Sequence, residues 1–227
     1  MCMITKKSLL KQKRILVVDD HPMMREGLVQ LISREKDFLV CGEAENARLA
    51  MEAIAKLKPD LVLTDITLPN KSGLEMVKDI QVQYPGLKIL AISMHDEAFY
   101  TERVLRAGAR GYIMKQEGGE KIIKVIQHVL SGQIYVSPKI SSKLLESFSG
   151  NGNHNGASLL GQLTDREFEV FQFIGQGLVI KEIAQKLHLS VKTIEVHRNK
   201  MKQKLRLKSA AELLRYSICW TEAQNPS

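Results

Sequence analysis

Cysteine is scarce and scattered: Cys2, Cys41 and Cys219 are the only three in 227 residues. An odd number with no CxxC spacing excludes a disulfide framework and a zinc site, and suits a reducing cytoplasm. Long apolar runs are missing too. No stretch approaches the ~18 apolar residues that span a bilayer. Near the basic N-terminus, Ser8-Leu9-Leu10 is broken by Lys11, so no secretory core follows. The expectation is a soluble, cytoplasmic protein with no membrane partner. At 44% hydrophobic and 26% charged residues the composition is that of an ordinary globular chain. Its length is large for one domain and comfortable for two.

Acidic residues are lacking where basic ones crowd. Lys192, Arg198, Lys200, Lys202, Lys204, Arg206 and Lys208 face Glu195 alone between positions 192 and 208, whereas residues 15 to 130 are slightly acidic. That last segment therefore suits a polyanionic partner.

Five short apolar runs, Ile15-Val18, Phe38-Gly42, Leu61-Thr64, Lys88-Ile92 and Gly111-Met114, alternate with helix-period stretches. Pro22 suits a first helical turn, while Pro59 and Pro85-Gly86 stop helices ahead of strands. This pattern predicts an α/β doubly wound, five-stranded parallel sheet of flavodoxin-like order. Asp19 and Asp20 follow the first run and Asp65 the third, where ligands collect in such sheets. Three clustered carboxylates repel unless a cation holds them, and an oxygen-only donor set suits Mg²⁺ and an incoming phosphoryl group. His21, His95, His188 and His197 are dispersed and read as structural rather than as metal ligands.

Domain boundaries follow from composition. A basic tail (1–13) precedes the α/β domain (14–132). A linker (133–162) holds a short helix at about 138–147 and the Gly/Asn-rich run 149–156. A small all-α domain (163–227) closes the chain. In it Thr164-Asp165-Arg166-Glu167 is a capping box, and Gly175 and Gly177 end the helix it opens. Lys181–Leu187, a turn at His188-Leu189, and a helix capped by Ser190 have helix-turn-helix spacing. Ile183, Ala184, Leu187, Ile194, Met201 and Leu205 face inward; Lys192, Glu195, Arg198, Asn199 and Lys202 are left for a major groove.

Leu163-Thr164-Asp165-Arg166-Glu167, Gly177, Lys181-Glu182-Ile183-Ala184, Leu189 through Arg198, Lys204-Leu205 and Ala211-Glu212-Leu213 together resemble the LuxR-type helix-turn-helix. Asp19-Asp20, Asp65-Ile66-Thr67-Leu68-Pro69, Gly73, Ser93, Tyr112 and Lys115 resemble a response-regulator receiver. The pair resembles the NarL/FixJ family of two-component transcription regulators. The resemblance implies Asp65 as phosphoacceptor. It implies Asp20, Asp65 and the Thr67 carbonyl as Mg²⁺ ligands, and Asp19 acting through metal-bound water. Lys115 and Ser93 would contact the phosphoryl group, and Tyr112 would follow Ser93 inward when Asp65 is modified. Lys192, Thr193, Glu195, Val196, Arg198, Asn199 and Lys202 would meet DNA. The implied partners are a sensor histidine kinase, double-stranded DNA, a second copy of the chain when phosphorylated, and RNA polymerase.

Three departures stand out. Ile180 opens the scaffold helix where the family carries a polar residue, so a cap and a phosphate contact are expected to be lost. Glu195 puts an acid on the reading helix, either to accept from cytosine N4 or to pair with Arg198 or Asn199. Ser93 stands in place of Thr, and with Thr67 and His95 it is expected to set the acyl phosphate's lifetime. A haloacid-dehalogenase-like phosphohydrolase needs a second acid two residues past the nucleophile, and Thr67 is there instead. A regulator switched by a small ligand would not need the acids, Ser93 and Lys115 in receiver register.

Overall fold

The computed structural model describes residues 12–94, 96–142 and 157–224. The tail before Gln12, His95, the Gly/Asn-rich run and the end of the expected 138–147 helix lie outside the described residues. Two compact units are present: one runs to Ile66 and resumes over Val77–Tyr135, and the other takes in Thr67–Met76 and the chain from Val136. Among the described residues no helix is long and apolar enough to cross a membrane.

The first unit alternates strands and helices: β1 (Lys13–Val18), α1 (Pro22–Ser33), β2 (Phe38–Ala44), α2 (Ala47–Leu57), β3 (Leu61–Asp65), α3 (Gly73–Gln83), β4 (Lys88–Ser93), α4 (Glu97–Arg106), β5 (Gly111–Met114) and α5 (Gly119–Leu130). The sheet has five parallel strands in the order β2-β1-β3-β4-β5, as the sequence predicts. Successive strand residues point to opposite faces. Ile15, Val17, Leu61, Leu63, Leu90, Ile92 and Ile113 pack with Leu28 and Ile32 of α1 and with Ile122, Ile126 and Val129 of α5. Leu16, Val18, Val62 and Ile89 are equally buried and fill the other face. A sheet buried on both sides needs the near-continuous apolar runs seen in the sequence. Local chemistry sets the helix ends. Asn46 accepts the Leu49 N–H at 3.0 Å to cap α2, and Asp96 accepts the Ala98 N–H at 2.8 Å to cap α4.

Beyond α5, Gly132 adopts φ 95° and turns the chain back. The Tyr135 N–H then donates to the Arg110 carbonyl at 2.9 Å, and Tyr135 pairs with Gly111. The first residues of the expected linker thus belong to the sheet's β5 edge.

In the second unit Pro138 opens a helix, α6, with described residues 138–142; the Ser137 hydroxyl accepts the Ile140 N–H at 3.3 Å. Then follow α7 (Ala157–Leu160), α8 (Asp165–Gly175), α9 (Ile180–Lys186), α10 (Val191–Lys204) and α11 (Ala210–Gln224). The Thr164 capping box is present at the head of α8. Trp220 of α11 meets Phe168 and Phe171 of α8 edge-on at centroid distances of 5.7 and 5.6 Å. Gly175 has a packing role that spacing does not reveal: a Cβ there would sit 2.6 Å from the Ser217 carbonyl of α11.

Candidate functional site

The order of the sheet reverses between β1 and β3, which opens a crevice beyond their carboxyl ends. Asp65 is the last residue of β3, while Asp19 and Asp20 follow β1. Asp19 is fully buried and Asp65 nearly so, and Asp19, Asp20, His21 and Asp65 each bring a ligand atom within 4.8 Å of the others. Lys115, one residue past β5, lays its ammonium 2.6 Å from Asp19 Oδ2 and 2.6 Å from Asp65 Oδ2. Its main-chain N–H donates to the Ser93 carbonyl at 2.7 Å, which ties it to the end of β4. Burial works against the Lys115 charge, yet Asp65 and Asp19 outweigh it and hold the ammonium above its ordinary range.

One cation does not satisfy the pocket. Asp19 Oδ2 and Asp20 Oδ1 are buried and accept no well-directed hydrogen bond, despite the ammonium close to the first. Buried acceptors in that state favour a further cation, and a divalent ion with oxygen preference fits the donor set. The turn that presents them is braced. The His21 N–H donates to Asp19 Oδ1 at 2.9 Å, and the Arg25 guanidinium donates to the Asp19 carbonyl at 2.7 Å. The His21 ring, read from sequence as structural, instead stands 2.8 Å from Asp20 Oδ1. Arg25 was not foreseen; only its position one turn into α1 could have signalled it.

Ser93 and Tyr112 are both buried, and the Tyr112 hydroxyl shares a hydrogen bond with Ser93. Burial pushes the Tyr112 phenol far up, so it stays protonated. The sequence reading has Tyr112 move inward after Ser93; here it is inside already. Thr67 lies half-buried two residues beyond β3.

In the second unit α9 and α10 form the expected helix-turn-helix. His188 takes the left-handed conformation (φ 52°) in the turn, and the Ser190 hydroxyl accepts the Thr193 N–H at 3.0 Å to start α10. All six inward residues named from spacing are buried. Lys192, Glu195, Val196 and Asn199 are exposed, whereas Thr193, Arg198 and Lys202 are half-buried. The Glu195 side chain makes no ion pair or hydrogen bond among the described residues, so the expected alternative of an intrahelical pair is not formed.

Two buried ion pairs anchor the motif to α8. Arg166 pairs with Glu169 at 2.6 Å and donates to the Leu187 carbonyl at 3.1 Å, which holds the turn. Lys204 pairs with Glu167 at 2.6 Å, which holds the end of α10. Burial would raise the Glu167 carboxyl, but Lys204 and the Thr164 N–H outweigh it and keep it below its ordinary value. His197 sits half-buried on the inner side of α10, its imidazole pushed down chiefly by burial and held neutral. The missing cap falls one residue earlier than the sequence suggests. Val179 is the N-cap, with no side-chain acceptor, and Ile180 is the first helical residue. Glu182 partly compensates by accepting the Val179 N–H at 2.9 Å.

A switch-point acid pocket braced by a buried lysine, on one chain with a basic helix-turn-helix, defines a two-component response regulator. Residues 15–127 match the response regulator receiver domain, and residues 161–217 match the bacterial regulatory proteins of the luxR family. The oxygen regulatory protein NreC of Staphylococcus aureus is 35% identical over 209 residues, covering 90% of this chain and 96% of that one. A LuxR-family two-component response regulator from an Aurantimonas species is 32% identical, with a TM-score of 0.57, over 61% of this chain and 99% of that one. The Salmonella typhimurium RcsB response regulator is 25% identical, with a TM-score of 0.63, over 92% of this chain and 98% of that one. RcsB from Salmonella enterica bound to promoter rprA in the presence of the phosphomimetic BeF3- gives a TM-score of 0.59 at 25% identity, over 91% of this chain and 98% of that one. The chain belongs to the NarL/FixJ-like family of response regulators. It is a DNA-binding two-component regulator whose phosphoacceptor region is the acid pocket, and it is a regulator rather than an enzyme in the ordinary sense. That architecture implies a kinase partner and a DNA target.

Proposed function

We propose that Asp65 accepts a phosphoryl group from the phosphohistidine of a sensor kinase in the cytoplasm, and that the modified receiver controls pairing of two chains and promoter binding. The observation that carries this is the Asp65 carboxylate, held at the end of a central strand with Oδ2 on the Lys115 ammonium. In the transfer a bond forms between an Asp65 oxygen and phosphorus while the phosphorus–nitrogen bond breaks. Its electron pair stays on the kinase imidazole, which takes up a proton. Asp20, Asp65 and the Thr67 carbonyl would hold Mg²⁺, with Asp19 reaching it through water. Bound there, the ion supplies charge neutralisation between carboxylate and phosphoryl oxygens. Lys115 follows the charge from the carboxylate onto the phosphoryl group, and the Ser93 hydroxyl donates to a phosphoryl oxygen. Tyr112, already bonded to Ser93, feels that shift directly. This biases a two-state surface.

For DNA, Lys192, Thr193, Glu195, Val196, Arg198, Asn199 and Lys202 meet the major groove. Arg198 or Lys192 reads guanine or phosphate, and the unpaired Glu195 accepts from cytosine N4. The promoter complex of RcsB supports this reading, and contact with RNA polymerase would follow from it. Incubating the purified chain with a small-molecule phosphoryl donor tests the whole scheme. Phosphate should appear on the wild type and not on Asp65→Asn, together with dimerisation and tighter promoter binding. A variant phosphorylated as fully as the wild type would overturn it.

A further inference from the structure

His21 is placed by its neighbours rather than by its own packing. It precedes Pro22, the first residue of α1, and a residue before proline is confined to extended backbone; His21 has φ −88° and ψ 110°. It occupies the N-cap position, yet its side chain makes no capping hydrogen bond. The ring turns instead toward the acids. Nδ1 lies 2.8 Å from Asp20 Oδ1 and 3.3 Å from Asp19 Oδ1. Adjacent ligands of an octahedral ion with bonds of about 2.1 Å stand about 3.0 Å apart. These two spacings bracket that edge.

The acids have a second mark of an ion site. Asp19 is fully buried, and its Oδ2 accepts no well-directed hydrogen bond, as is also true of Asp20 Oδ1. His21 closes the open side of the same cluster, with a side chain 66% exposed and so reachable by a hydrated ion. An all-oxygen pocket suits Mg²⁺, whereas imidazole nitrogen raises affinity for Ni²⁺, Co²⁺ and Zn²⁺ and adds little for Mg²⁺.

We propose that His21 Nδ1 is a ligand of the acid pocket, so that this receiver takes borderline first-row divalent cations in preference to Mg²⁺. The proposal rests on the reading of Asp19, Asp20 and Asp65 as a cation site. It predicts that the ion held is set by the supply of such metals.

Calorimetric titration of the untagged full-length chain with Ni²⁺ and separately with Mg²⁺ tests it, using the wild type, His21→Gln and Asp20→Asn. His21→Gln should lose about ten-fold or more in Ni²⁺ affinity while its Mg²⁺ affinity stays unchanged. Excess Mg²⁺ should displace Ni²⁺ from the wild type. The nitrogen-15 resonance of His21 Nδ1 should move when Zn²⁺ is added, a readout independent of affinity. If His21→Gln binds both ions as the wild type does, or the resonance stays put, His21 is only hydrogen-bonded to Asp20 and the proposal fails. If Asp20→Asn also binds both ions unchanged, the cation site itself is refuted, which is a separate result.

Discussion

At the residue scale, Lys115 is the group on which the buried acids depend. Removing one member of a buried ion pair costs about 3–5 kcal/mol because the partner charge is stranded, and Lys115 contacts two partners. Access of water to the pocket reduces that figure. Lys115→Ala is therefore expected to lower the melting temperature by several degrees in chelator. Mg²⁺ should raise it more in the variant than in the wild type, since the ion supplies the missing positive charge. Thermal unfolding with and without Mg²⁺ measures both; equal increments would show that the ammonium and the ion do not share a role.

Glu167 makes a second residue-scale case. Its folded carboxyl lies below the ordinary 4.5 because Lys204 and Thr164 outweigh the burial that would raise it. Stability from this group is full above the unfolded value and is lost as pH falls through the folded one. Wild type should thus exceed Glu167→Gln in stability at pH 6, with the gap closing as pH drops below about 4.5. A gap that stays constant would assign the loss to packing. The convergence of Asp19, Asp20 and Asp65 was legible in the sequence, because strand ends in a doubly wound sheet share one edge. The His21 ring and the double contact of Lys115 were not, since each depends on side-chain direction in a loop.

At the scale of elements, the strands and helices were legible because each is set by local chemistry: apolar runs, Asn46, Asp96, Thr164 and Ser190 as caps, and proline before or after. What escaped the sequence is contact between distant segments, such as Tyr135 on the edge of β5 and Gly175 against α11. Gly175→Ala should destabilise the second unit by about 1–3 kcal/mol, the usual cost of overpacking. A loss below the small change expected from helix propensity would mean that α11 yields freely. The scaffold helix offers the opposite case. Val179 is exposed and caps nothing, so Val179→Ser should add about 0.5–2 kcal/mol. Ile180→Asn, one residue inside the helix, should not. Denaturant unfolding of the two variants separates the cap from the phosphate contact that the residue at 180 was expected to make.

At the scale of the whole molecule, charge is divided by task. The receiver is slightly acidic, and the stretch from Lys192 to Lys208 carries seven basic residues against Glu195 alone. Each phosphate neutralised adds about −0.9 to the slope of log affinity against log salt. Lys202 and Glu195 lie on the same helix, and they should fail differently. Lys202→Ala should flatten the salt slope by about one and weaken binding to all sequences alike. Glu195→Ala removes an acid from a field of phosphates, so affinity for arbitrary DNA should hold or rise. The base preference should relax at one position, because an unpaired carboxylate no longer accepts from cytosine N4. Selection of bound sites from random DNA, run beside salt titrations on the selected and on arbitrary duplexes, measures both effects. Identical selected motifs for wild type and Glu195→Ala would exclude base reading by this residue. The acid would then act only by weakening the hold on arbitrary DNA, which leaves Arg198 and Lys192 as the groups that set sequence preference.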